Sequence, residues 1–65
     1  MNILVNGKPR NVNATQLLAV LIELGYDKAT IATAVNRRFI PIATRAHTTL
    51  SENDRLEIVA PMQGG

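Results

Sequence analysis

Arg55-Leu56-Glu57-Ile58-Val59 is the stretch whose reading decides the fold. Leu56 and Ile58 alternate with Glu57 and Val59 at the two-residue period of a strand buried on one face. The polar run Ser51-Glu52-Asn53-Asp54 before it reads as a turn, and Pro61 ends it. The matching pattern at the other end of the chain is Asn2-Ile3-Leu4-Val5-Asn6, with Ile3 and Val5 on one face and Leu4 on the other. Asn6-Gly7 suits the positive φ angles of a tight hairpin. A second strand is therefore expected from Pro9 to Asn13, with Val12 as its one apolar residue. Pro9 cannot donate a ladder hydrogen bond, so this strand belongs at a sheet edge.

Between the two patterns the chain changes period. Leu17, Leu21 and Leu24 recur at helical spacing across Gln16–Leu24, and Leu18 and Ile22 widen the stripe. Thr15 is the expected N-cap, and Gly25 suits the left-handed position that closes a helix. A third strand is expected over Thr30–Asn36, carrying Ile31 and Val35. Asn36-Arg37-Arg38 reads as a turn and Phe39-Ile40 as a short strand stopped by Pro41. Residues 42–49 are ambiguous, with room for a turn of helix. Hairpin, helix, then two or three strands is the order of an α+β, β-grasp (ubiquitin-like) domain. Its mixed sheet has four or five strands, one main helix crosses one face, and the first and last strands form the central pair. The domain is expected to occupy residues 1–61, with 62–65 a flexible tail ending in Gly-Gly.

Composition narrows the chemistry. The chain has 65 residues and no Cys, which excludes disulfides, thiolate zinc sites and iron–sulfur clusters. His47 is the single histidine, so no His pair can hold a metal, and no metal site is expected. With only Tyr26 and Phe39 as aromatics, aliphatic residues must build the core. Seven basic and five acidic residues give a net charge of +2, but the cations are scattered, unlike the clustered stripe of a nucleic-acid binder. No apolar run reaches the ~20 residues of a membrane span. The N-terminus lacks a signal-peptide pattern, so a cytoplasmic location is expected. His47, Ser51 and Asp54 form a triad by composition only, with nothing to indicate convergent geometry. Glu52, Asp54 and Glu57 read as a solvated face. Arg37-Arg38 read as the cap of a hairpin that could also steer an acidic partner. A chain so equipped is not expected to be an autonomous enzyme.

The terminal Gly64-Gly65 is the informative motif. Residues without a Cβ can thread a narrow channel, and they leave a terminal carboxylate sterically open. An ionised carboxylate is a poor electrophile; as an acyl-adenylate it can be attacked by sulfur or nitrogen. The competing reading is a frayed, functionless end.

Taken together, Met1-Asn2-Ile3-Leu4-Val5-Asn6-Gly7, the helix ending Glu23-Leu24-Gly25, Ala34-Val35-Asn36 with Ile40-Pro41, and Asn53-Asp54-Arg55-Leu56-Glu57-Ile58-Val59 running into Gly64-Gly65 resemble the ThiS family of thiamine-biosynthesis sulfur carriers. The resemblance covers nearly the whole chain. It implies a carrier that is a protein co-substrate. Gly65, with Gly64 beside it, would be adenylated by an E1-like adenylyltransferase of the ThiF type using ATP, with no permanently bound cofactor. A cysteine desulfurase or persulfide carrier would supply sulfur for a thiocarboxylate, which a thiazole synthase of the ThiG type would consume. Two positions depart from the family: Asn53 replaces a frequent Gly, and Leu18 stands where an acidic capping-box residue is common. By the same resemblance the sheet face away from the helix would bind the activating enzyme through Val59 and Leu4 as one apolar patch, with Met62 and, more weakly, Phe39 added. Phe39 could instead be core. Two alternatives stay open: a MoaD-type carrier for molybdopterin synthesis, and a ubiquitin-like interaction module with an incidental Gly-Gly.

Overall fold

A computed structural model of the chain describes residues 1–26 and 30–60. Its elements are β1 (Asn2–Val5), β2 (Lys8–Asn11), α1 (Leu17–Glu23), β3 (Ala32–Val35), β4 (Arg38–Ile40), a 3-10 helix (Ile42–His47) and β5 (Arg55–Val59). The strands form one sheet in the order β2-β1-β5-β3-β4. β1 and β5 run parallel, with Leu4 beside Arg55 and Val5 beside Leu56. The other three pairings are antiparallel. The last strand is thus the middle of the sheet. This is the β-grasp arrangement, with Pro9 on an edge strand whose four residues are all exposed.

Both hairpins close in two residues. Asn6 and Gly7 have φ of 52° and 83°, and Asn36 and Arg37 have 51° and 69°. Two successive positive φ values make a type I′ turn, whose twist matches that of the flanking strands. Asn53 also takes a positive φ, 70°, so it serves where a glycine is frequent in the family.

The core is aliphatic: Ile3, Val5, Val12, Leu17, Val20, Leu21, Ile31, Leu50, Leu56 and Ile58. The helical stripe differs from the expected one. Val20 is buried with Leu17 and Leu21, whereas Leu18 and Ile22 are exposed. At 100° per residue, Leu18 and Ile22 lie more than about 100° round the helix from the centre of the buried stripe, beyond the reach of a sheet on one side.

Thr15 does not cap α1. The N-cap is Gln16, and it makes no side-chain cap bond. Instead the Leu17 N–H donates to Thr48 C=O at 2.8 Å and the Leu50 N–H to Thr15 C=O at 2.7 Å, around a bridge between Gln16 and Thr49. A backbone partner from a distant segment satisfies the first-turn donor that a cap would have served. The helix ends as expected: Gly25 has φ 92°, and the Tyr26 and Gly25 N–H groups donate to Leu21 and Ile22 C=O at 2.8 and 3.0 Å. That pair of bonds is the Schellman motif.

Beneath the sheet the 3-10 helix buries a cation. Arg45 donates from Nη2 to Ile31 C=O at 2.7 Å and from Nε to Thr33 Oγ1 at 3.3 Å. Thr33, itself buried, donates in turn to Ile40 C=O at 3.2 Å. No described helix is long and apolar enough to cross a membrane.

Candidate functional site

The alternation along β5 puts Leu56 and Ile58 against the core and Arg55, Glu57 and Val59 on the outer face. Cross-strand register extends that face in rows. Glu57 pairs with Ala34, and Ala34 pairs with Phe39. Val59 pairs with Ala32. Arg55 stands beside Leu4, whose antiparallel partner is Pro9.

Phe39 and Val59 are each 64% exposed, so Phe39 is a surface residue and not part of the core. With Ala32, Thr33, Ala34 and Glu57 they line a shallow depression of about 240 Å³. Leu4 is half-buried and does not join them. It lines a separate groove of about 350 Å³ with Gly7, Arg37, Arg55, Leu56 and Glu57. The single patch expected of Leu4 and Val59 is therefore corrected to two. The two residues are on neighbouring strands, but Leu4 is level with Arg55, four residues or about 13 Å down β5 from Val59. Adjacency of strands does not make adjacency of side chains when the register offsets them. Met62, Gly64 and Gly65 lie outside the described residues, as does the whole of 61–65.

The frame around β5 holds it at both ends. Asn6 Oδ1 accepts from the Ile58 N–H at 2.8 Å and Asn6 Nδ2 donates to Ile58 C=O at 3.1 Å. β1 turns away at Asn6, and this side chain continues the ladder that β1 leaves off. At the other end, Asn36 Oδ1 accepts from the Arg55 N–H at 2.9 Å while the Asn36 N–H donates to Arg55 C=O at 2.8 Å. Asn36 Nδ2 also donates to Asp54 Oδ1 at 3.1 Å, and Asp54 Oδ2 accepts from the Ser51 N–H at 2.8 Å. Both oxygens of Asp54 thus serve the turn before β5. His47, at the end of the 3-10 helix, is exposed and shares none of these bonds, so the compositional triad is not assembled.

One carboxylate is electrostatically distinctive. The Ala14 and Asn13 backbone N–H groups donate to Glu23 at 2.9–3.0 Å and hold its pKa below the usual carboxylate value. It ties the helix to the loop after β2, far from the outer face. This role of Glu23 is not legible in the sequence, because its partners are main-chain groups that any residue type supplies.

Comparison with known proteins agrees with this architecture. The ThiS family model matches residues 3–65. A protein of Paramagnetospirillum magneticum named thiazole synthase is 35% identical over 66 residues, a match that takes in all of this chain. The chain spans only 20% of that relative's length. The crystal structure of the thiamine biosynthesis protein ThiS from Geobacter metallireducens superposes with a TM-score of 0.82 at 28% identity, over the full length of both chains. The solution structure of a thiamine biosynthesis protein from the same organism gives 0.80 at 26% identity, covering all of this chain and 88% of that one.

Proposed function

The chain belongs to the ThiS family, and from that membership we propose that it is a sulfur carrier of thiamine biosynthesis whose cargo is borne on the carboxyl of Gly65. The observation that carries this reading is a family match that runs through residue 65, taking in Gly64-Gly65. A ThiF-type enzyme transfers AMP from ATP to the carboxylate and releases pyrophosphate. The terminal sulfur of a persulfide then attacks the acyl-adenylate and AMP leaves. A thiol cleaves the resulting acyl disulfide, leaving a thiocarboxylate on the carrier and a disulfide on the donor. The thiocarboxylate gives its sulfur to the thiazole made by a ThiG-type synthase. On this reading the protein is a co-substrate of the enzymes, and its cytoplasmic location follows from theirs.

The division of surfaces is part of the proposal. A relative named thiazole synthase carries a matching segment in a chain about five times as long. That relative supports a thiazole synthase as one partner of this chain. The outer sheet face, with Val59 and Phe39 around one depression and Leu4 in the neighbouring groove, is assigned to the adenylating enzyme on the strength of the family resemblance, with Met62 of the tail as a further contact.

The test is mass spectrometry after incubation with a ThiF-type enzyme, ATP and a persulfide donor. The expected product gains the mass difference of sulfur over oxygen at Gly65. Deleting Gly65, or adding one residue after it, abolishes the gain because the reacting carboxyl moves. An unmodified wild-type chain, or full modification after the deletion, refutes the reading.

A further inference from the structure

The end of β5 has unequal neighbours. On one side β3 pairs with it to its last residue, Thr33 beside Ile58 and Ala32 beside Val59. On the other side β1 stops short. Val5 stands beside Leu56, and the Asn6 N–H donates to Leu56 C=O at 2.9 Å. Beyond Leu56 a side chain takes over from the strand. The Asn6 amide accepts from the Ile58 N–H at 2.8 Å and donates to Ile58 C=O at 3.1 Å. Among the described residues, the root of the segment that ends in Gly64-Gly65 is thus fastened on that side by one primary amide.

That amide is also chemically the most vulnerable in the chain. Asn6 is the only one of six asparagines followed by glycine. A backbone nitrogen can attack the side-chain carbonyl carbon of the asparagine before it, and a residue without a Cβ leaves that approach open. Gly7 is unobstructed: nothing lies within 4 Å of where its Cβ would be, and its N–H donates to no described group. Hydroxide can therefore reach that N–H. The fold opposes the attack itself. Two hydrogen bonds hold the Asn6 side chain toward Ile58, and φ values of 52° and 83° fix the turn at Asn6 and Gly7. Reaction requires the hairpin to open. Its second strand, β2, is the sheet edge and has all four residues exposed, and local opening of such a unit costs less than global unfolding.

We propose that Asn6 is a site of spontaneous deamidation, and that the modification unlatches the root of the C-terminal segment from β1. The Gly7 nitrogen, its proton lost to hydroxide, bonds to Asn6 Cγ. The Cγ–Nδ2 bond breaks, and that nitrogen takes a proton from water and leaves as ammonia. Water opens the resulting succinimide at either carbonyl and leaves aspartate or isoaspartate at position 6. The net reaction is amide plus water giving carboxylate plus ammonium, with no oxidant or reductant. Aspartate keeps an acceptor for the Ile58 N–H but sets a second acceptor against Ile58 C=O, where Nδ2 had donated. Isoaspartate adds a methylene to the main chain and cannot preserve the two-residue turn. Either product leaves Ile58 paired with β3 alone. The inference is independent of what the terminal carboxyl carries: it sets an age limit on the anchorage of that terminus.

The experiment incubates the full chain at mildly alkaline pH, native and in urea, and follows each asparagine by peptide mapping with mass spectrometry and enzymatic isoaspartate methylation. Asn6 is expected to react first in both, and about tenfold or more faster in urea, because native reaction is confined to opened molecules. The deamidated native chain is then separated by ion exchange. Amide-exchange protection of Ile58, measured against that of Leu21 in α1, is expected to fall about tenfold or more, the loss of a part-buried hydrogen-bonded pair. Asn6→Asp, made directly, should reproduce that fall. Gly7→Ala, compared in urea where the turn no longer matters, should slow the reaction. Another asparagine reacting first, equal rates at Asn6 in native and unfolded chains, or wild-type protection of Ile58 in the deamidated chain overturns the proposal. No activating enzyme, ATP or sulfur donor enters these measurements, so failure of the carrier reading leaves the latch standing, and failure of the latch leaves the carrier reading standing.

Discussion

Asn6 and Asn36 both occupy positive φ in two-residue turns, and both direct their side-chain amides to β5, at Ile58 and Arg55 respectively. Asparagine serves here twice: its short polar side chain tolerates the left-handed conformation, and its amide presents a donor and an acceptor in the geometry of a peptide group. The two roles can be separated by Asn6→Gly, which keeps the turn and deletes the clamp. That variant is expected to lose about 1–3 kcal/mol of stability, because the Ile58 N–H and C=O lose their partners in a part-buried setting. Amide exchange of Ile58 should speed up relative to that of Ile3. Unaltered protection at Ile58 would show that the strand does not depend on the side chain. Asn6-Gly7 in the sequence announces a turn, and the turn is there. The clamp is not legible, because its partner lies 52 residues away.

At the scale of elements, α1 shows which local signals survive in the folded state. Gly25 as the terminating residue is read correctly because its function is intrinsic: only a residue without a Cβ takes φ 92° easily. Thr15 as the cap fails because capping is replaceable. Thr48 C=O reaches Leu17 first, through a bridge the sequence does not display. Glu23 supplies the compensating link from the helix to the loop at Asn13 and Ala14. Its folded-state pKa is depressed, chiefly by the Ala14 and Asn13 hydrogen bonds. The sign follows: the contribution is present above the ordinary carboxylate pKa and is lost as pH falls through the lower, folded value. Thermal melts of wild type and Glu23→Gln should therefore differ at neutral pH and converge in acid. A difference that stays constant from neutral to strongly acidic pH would mean that ionisation of Glu23 is not what holds the loop.

For the whole molecule, Arg45 joins the 3-10 helix to Ile31, just before β3, and to Thr33 within it. The site lies inside a fold whose hydrophobic core contains no aromatic residue among its buried members. Removing a buried fork of donors leaves Ile31 C=O and Thr33 Oγ1 without it and opens a void along the aliphatic stem. Arg45→Ala is expected to cost about 3 kcal/mol, a drop in thermal midpoint of roughly 12–24 °C for a domain of this size. Arg45→Met retains the stem and should lose clearly less. Equal losses would assign the whole effect to the hydrogen bonds. The same scale governs the outer face. Strand register separates Leu4 from Val59 and places Glu57 between their two depressions. An apolar count along β1 and β5 cannot anticipate this.

By itself the sequence determined the properties that depend on one residue or a short run: the period of β5, the Asn-Gly turn, the Gly25 helix end, Pro9 at an edge and the absence of cysteine. Each follows from a steric or covalent property the residue carries into any context. Only the tertiary structure decided which helical residues are buried, who satisfies the first turn of α1, where Arg45 places its charge, and how the outer face divides. Those depend on the registers Leu4 to Arg55 and Ala34 to Glu57, pairings between segments far apart in the chain. A strand's alternation says which side chains share a face. It does not say which residue of the next strand stands beside them, and that neighbour determines whether Glu57 meets water, an apolar socket or a charge.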